Sequence, residues 1–281
     1  MEKGVNAEYF RGAACHHITV QSNIMGLNVD GISTILFPGQ RPGDPDVPAT
    51  NDHCLYFDKA TDLFIGGEDP ARGNILNADN EIFCEGHPDP AVNDSLLIIN
   101  NKLGIDINDD MLPTASITGI YIQLYNKQNS TTRADAGIII RKNYIAGRSR
   151  NIGIGLSGIE SFLLLNKISL AEKRGVPFRN ASIDYGISLA DCAMGILGDS
   201  GPGNENQIRY CRIMAVLLNS TSDITVRHNS TYCNTRGLFI YNWLAANGAR
   251  PRPLLQLTDL TRPRVLYGVR LCPTLPLTLC R

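Results

Sequence analysis

The feature that most constrains this chain is a short phrase that keeps returning: an alternating aliphatic run, two polar or small residues, then often Asn. It reads Ile18-Thr19-Val20-Gln21-Ser22-Asn23, Leu96-Leu97-Ile98-Ile99-Asn100-Asn101, Ile138-Ile139-Ile140-Arg141-Lys142-Asn143 and Ile224-Thr225-Val226-Arg227-His228-Asn229. Weaker copies lie at residues 63–67, 82–86, 162–166 and 208–212. A second phrase interleaves with the first, a Gly followed by alternating apolar residues: Gly31-Ile32, Gly119-Ile120-Tyr121-Ile122, Gly153-Ile154-Gly155-Leu156, Gly186-Ile187-Ser188-Leu189 and Gly237-Leu238-Phe239-Ile240. Ala215-Val216-Leu217-Leu218 fills the same slot without the glycine. From Gly119 onward these starts are 34, 33, 29 and 22 residues apart, a repeat of about 22 residues carrying insertions, which marks a solenoid.

Period-two alternation over four or five residues is the signature of a strand with one buried face. Short strands separated by Gly, Asn and Asp corners suit a coil whose every turn lies on the turn before. Asn suits the corners because it tolerates left-handed backbone and its amide can bond the same residue one coil away. The solenoid is expected over residues 9–247, as eight or nine coils spaced about 4.8 Å apart. One stretch reads two ways. Ile159, Phe162, Leu163, Ile168 and Leu170, ahead of Gly175, could form an amphipathic helix, but the repeat on both sides favours strands.

Composition sets outer bounds. The chain has 281 residues, 43% of them hydrophobic, with 26 basic and 27 acidic side chains. It can bury a sizeable core. It is not a polybasic nucleic-acid binder, an acidic disordered tail or a disulfide-dense miniprotein. No apolar run approaches about 18 residues, so no membrane-spanning helix is expected, and the polar opening Met1-Glu2-Lys3-Gly4 reads as no secretory signal. The eight cysteines lie far apart without a CxxC or zinc-finger spacing; most read as small buried hydrophobes. Residues 37–51 and 198–204, rich in Gly, Pro and Asp, read as insertions that project from the solenoid. The composition shifts after residue 247. Residues 248–281 hold nine Leu, five Pro, six Arg and a single acidic residue, Asp259; they do not continue the repeat and are expected to be a tail or cap.

The interleaved Gly-aliphatic and aliphatic-x-x-Asn phrases resemble the right-handed parallel β-helix proteins of the pectin-lyase-like group, over roughly 85% of the chain. The resemblance implies an all-β, right-handed parallel β-helix and an extracellular life among polysaccharides. It does not choose an activity, because the group includes lyases, glycoside hydrolases, epimerases, tailspikes and noncatalytic binding modules. Arg174-Gly175-Val176-Pro177-Phe178-Arg179 is a near miss for the Arg-x-Pro-x-x-Arg segment of pectate lyases. The motif sets of polygalacturonases and epimerases are absent, so no known active site carries over.

Superposing the aliphatic-x-x-Asn phrases stacks Arg141 and Lys142, then Cys211 and Arg212, then Arg227 and His228. Such a column suits an anionic polysaccharide, with an Arg or Lys withdrawing a proton beside the carboxylate; the plain alternative is a row of solvated corner residues. Asp191 and Asp199, with Asp58, are candidates for the acid and base of glycoside hydrolysis. Asp109 and Asp110 follow Asp106 and Asn108 and could hold Ca2+ through oxygen ligands, although the glycine and distal glutamate of an EF-hand are missing; an Asp-rich turn is usually only a turn. Outward Tyr121, Phe239 and Tyr241, joined by Tyr56, offer rings for stacking against sugars, whereas chance exposure of aromatics is common. No His pair has metal-binding spacing, and sequons stand at Asn129, Asn180, Asn219 and Asn229.

These residues lead to an expectation of a polysaccharide-engaging solenoid, with neither nucleic acid nor membrane as partner. Three classes stay open: a lyase or hydrolase using the basic column, a noncatalytic carbohydrate-binding module joined to other domains of a larger secreted polypeptide, and a structural or tailspike-like rod. The enzyme predicts a deep groove with paired titratable groups; the binding module predicts a flatter aromatic face.

Overall fold

The computed structural model describes residues 3–7, 16–28, 30–32, 36–37, 47–48, 53–58, 60–86, 95–110, 112, 118–124, 137–146, 152–157, 161–164, 167–168, 172–173, 176–177, 183–190, 193–198, 206–219, 222–227, 229–232, 234–241 and 256–258. Among these, the chain is a parallel β-helix. Three parallel sheets of eight, eight and seven strands run along it, and successive strands in the sequence belong to successive sheets. One coil reads Thr118–Leu124 in the first sheet, Gly137–Arg141 in the second and Tyr144–Ile145 in the third. The next coil repeats this with Ile152–Ser157, Ser161–Leu164 and Lys167–Ile168. Within the ambiguous stretch, Ser161–Leu164 and Lys167–Ile168 are strand, held in register by their neighbours: Phe162 pairs with Ile139 and Ile196, and Ile168 with Ile145 and Ile208; Ile159 and Leu170 lie outside the described residues. The first sheet begins with Lys3–Ala7 and the second ends with Gln256–Thr258.

The core is a set of vertical columns of inward side chains. Leu55, Ile82, Ile120, Ile154, Ile187 and Val216 line up across the first sheet, each 2% exposed or less. Ile65, Ile98, Ile140, Leu197 and Val226 come from the second sheet, and Leu76, Leu103, Ile145 and Ile208 from the third. Each such side chain removed from water contributes roughly 1.5–3 kcal/mol. The β-branched majority also suits the pleated surface.

The corner between the second and third sheets carries a buried column of asparagines. The Nδ2 of Asn23 donates to the Oδ1 of Asn74 at 3.0 Å, Asn74 to Asn101 at 2.8 Å, Asn101 to Asn143 at 3.0 Å, and, farther along, Asn206 to Asn229 at 2.9 Å. The same oxygens also accept backbone amides, from Asn23, Asn74 and Asn101 in turn. All of these but the half-buried Asn23 are enclosed, and their amide groups satisfy backbone polar atoms that the strands on either side of the corner leave open. Immediately before the asparagine stands a residue in the left-handed region: Ser22 at φ 56°, Asn100 at 57° and Lys142 at 56°. Gly66, the register partner of Ile99 and so one residue earlier than these, is left-handed too at φ 89°, and an added Cβ there would overlap the Ile99 carbonyl oxygen, so only glycine fits.

Insertions leave the coil at defined places. Leu36–Phe37 pairs antiparallel with Val47–Pro48 before the first sheet resumes at His53; the rest of the 37–51 insertion lies outside the described residues. Seven residues, 67–73, separate Gly66 from Asn74; seven more, 199–205, separate Gly198, at φ 94°, from Asn206. The Arg174–Arg179 near miss includes Val176–Pro177, which pairs antiparallel with Glu172–Lys173.

Candidate functional site

The first sheet turns a continuous outer face to solvent. Its register aligns Tyr56, Phe83, Tyr121, Gly155, Ser188, Leu217 and Phe239 in one outward column. Alternation explains the direction: Leu55 and Phe57 are buried on either side of Tyr56, Ile82 and Cys84 beside Phe83, and Ile120 and Ile122 beside Tyr121. Tyr56 and Phe83 stack with ring centroids 5.6 Å apart and 10° between planes; Phe83 and Tyr121 stack at 5.3 Å and 24°. His53 meets both Tyr56 and Phe83 edge-on at 5.2 Å. Tyr121 leans over Gly155, where a Cβ would lie 2.8 Å from the ring, so the small residue makes room for the last aromatic.

Beside the rings runs a second outward column, Asp58, Glu85, Gln123, Ser157, Ala190 and Asn219. The Tyr56 hydroxyl donates to a Glu85 carboxylate oxygen. None of the first-sheet strands from His53–Asp58 to Leu238–Tyr241 contains a lysine or arginine. The face is therefore aromatic, hydroxyl- and amide-bearing, and acidic at one end.

Of the residues expected to bind sugar, Tyr56 and Tyr121 meet here through Phe83. Phe239 shares their column but lies four rungs beyond Tyr121, and Tyr241 pairs in register with Asn219, its side chain outside the described residues. Phe83 and Glu85 were missed because residues 82–86 were grouped with the aliphatic-x-x-Asn phrase. Their in-and-out alternation was the available signal; that segment belongs to the Gly-led set.

The basic column does not stand as drawn. Arg141 ends a second-sheet strand and pairs with Leu164, and Arg227 ends another second-sheet strand three coils on. Arg212 belongs to a different corner, after the third-sheet strand Asn206–Arg209 and before the first-sheet strand Met214–Asn219. The apolar start of residues 208–212 imitated a second-sheet strand. Arg212 instead grips the buried Asp184 with two nitrogens, Nε at 2.5 Å and Nη2 at 2.8 Å. Those hydrogen bonds, with the charge of Asp184, raise the guanidinium pKa further. The Arg141 guanidinium and the Lys142 ammonium, the latter at 3.7 Å, share the carboxylate of Glu68. The side chain of Arg227 and all of His228, Asp191 and Asp199 lie outside the described residues.

The Asp106–Asp110 turn is closed by its own chemistry. Asp106 Oδ1 accepts the amides of Asn108 at 2.8 Å and Asp110 at 2.7 Å, and Lys102 holds Asp109 at 2.7 Å. Among the described residues no group of three His, Cys, Asp or Glu side chains could hold a metal ion. Cys54, Cys84 and Cys211 are buried free thiols. Burial pushes Cys84 and Cys211 up to about 12 and Cys54 higher still, so all three stay protonated and unreactive. The sequon residue Asn229 is a member of the buried column, its Nδ2 donating to the Leu197 carbonyl at 2.8 Å.

No family model matches the chain, and neither a curated protein nor a solved structure does. The fold defines a class, the parallel β-helix, and the case for function rests on the residues themselves.

Proposed function

We propose that this protein binds a polysaccharide along the outer face of its first sheet, as an extracellular relative of the pectin-lyase-like group. The observation that carries the reading is the stacked Tyr56–Phe83–Tyr121 column, ending on a ring that leans over Gly155. A row of rings on a rigid sheet presents apolar surface at a repeating interval, and the flanking Gln123, Ser157 and Ser188 supply polar groups for hydroxyls. With Asp58 and Glu85 beside the rings and no cation in these strands, the chemistry favours a neutral glycan over a uronan. The test is retention on immobilised glucan, xylan and polygalacturonate. Retention on a neutral polymer, lost in Tyr121→Ala while the melting temperature holds, supports the reading; a preference for polygalacturonate that Tyr121→Ala abolishes refutes it.

One observation favours a second reading, in which the face also cleaves the glycan. Asp58 and Glu85 are register partners on adjacent strands, so this face carries two neighbouring carboxyl groups, the pair of groups that glycoside hydrolysis uses. Release of reducing ends from the retained polymer, abolished by Glu85→Gln, distinguishes cleavage from binding alone.

A further inference from the structure

The corner where Arg141 and Lys142 emerge is built differently from the sugar-facing sheet, and its charges do not balance. The excursion after Gly66 is pinned from both sides. Ser22 donates through its amide to the Arg72 carbonyl and through its hydroxyl to the Ala71 carbonyl, both at 3.1 Å. From the next coil, Asn100 Nδ2 donates to the Gly67 and Glu68 carbonyls at 2.5 and 2.9 Å. Asp69 caps the short 3-10 turn Pro70–Arg72 by accepting the Ala71 amide at 3.0 Å. The backbone so held sends the Glu68 side chain past one whole coil, to the guanidinium of Arg141 and the ammonium of Lys142.

Two cations therefore meet one carboxylate. Glu68 engages the Nη2 of Arg141, while Nε is enclosed and has no hydrogen-bond partner among the described residues. A guanidinium binds an oxyanion best when two of its N–H groups on one edge are used together. Glu68 leaves that capacity unfilled, and its side chain is 58% exposed, so swinging it away costs little, as for other exposed ion pairs. Lys142 sits in the left-handed region at φ 56°, a conformation fixed by the corner rather than by its own charge.

We infer that Arg141 and Lys142 form an oxyanion-binding site in which Glu68 is a resident stand-in, displaced by a carboxylate, sulfate or phosphate group. The site lies at the corner of the second and third sheets, not on the first-sheet face, and does not depend on the glycan reading. The ligand group could be a free inorganic ion or a charged substituent carried on a sugar chain.

The experiment titrates the full chain at low ionic strength with inorganic sulfate, inorganic phosphate and tri-galacturonate, following the Arg141 Nε–Hε resonance and the heat of binding. Glu68→Gln should tighten at least one of these ligands about tenfold, by removing the competing charge. Arg141→Gln and Lys142→Gln should each weaken it, with thermal melts confirming that every variant is folded. Tighter binding of tri-galacturonate than of either inorganic ion assigns the site to a glycan-borne group; equal or weaker binding assigns it to the free ion. If Glu68→Gln binds none of the three more tightly than the native chain, or folded Arg141→Gln binds them equally well, the inference fails.

Discussion

Two columns of like side chains climb this molecule, and they obey opposite rules. The asparagines at the second corner are buried, and each amide serves its neighbours above and below. The aromatic rings on the first sheet touch each other just as regularly but leave part of their surface in water. The same one-residue-per-coil repeat thus yields architecture where the groups are polar and enclosed, and a half-open apolar face, the one we propose for recognition, where they are aromatic. Burial decides, because an enclosed amide without a partner costs about 1–3 kcal/mol whereas an exposed ring forfeits only part of its transfer energy.

The sharpest way to break the contrast is to damage the buried column. Asn101→Leu removes the acceptor of the Asn74 amide and side chain and the donor to the Ile65 carbonyl. It should lower unfolding free energy by about 3 kcal/mol, measured by urea denaturation. Gly66→Ala strains the same corner through one residue, since a Cβ there overlaps the Ile99 carbonyl; a loss of about 2 kcal/mol is expected in the same assay. On the outer face the order reverses between assays. Tyr121→Ala should change stability by under about 1 kcal/mol yet weaken glycan retention about tenfold, roughly the worth of one stacked ring, as read by affinity electrophoresis. Lys102→Ala, breaking an exposed pair with Asp109, should cost about 0.5 kcal/mol or less. Last comes an effect expected to be nil: a thiol-alkylating reagent at pH 8 should leave Cys54, Cys84 and Cys211 unmodified until the chain unfolds, as peptide mass mapping would show.

The two columns were not equally legible in the sequence. The asparagine column could be read outright, because apolar alternation fixes the phase of each strand and Asn23, Asn101, Asn143 and Asn229 fall at the same distance past it. Asn74 and Asn206 were hidden by the seven-residue excursions that precede them. The aromatic column was half visible: Tyr56 and Tyr121 were named, but Phe83 between them was placed in the wrong phrase. Arg212 went to the wrong corner because an Ile-led segment fits two sheets equally well. Glu68 could not be foreseen at all. Its partners are Arg141 and Lys142, more than seventy residues away, and only a loop of defined course brings them together.

The two detours at the asparagine corner have a consequence for how such a chain can change. Both begin after a glycine, Gly66 or Gly198, and end at an asparagine of the column, Asn74 or Asn206, with seven residues of sequence between, and the strands that follow keep their register. Length gained or lost there leaves the register of the later strands unchanged. The corner behaves as a socket, into which evolution or an engineer could splice a new appendage without retuning a single rung.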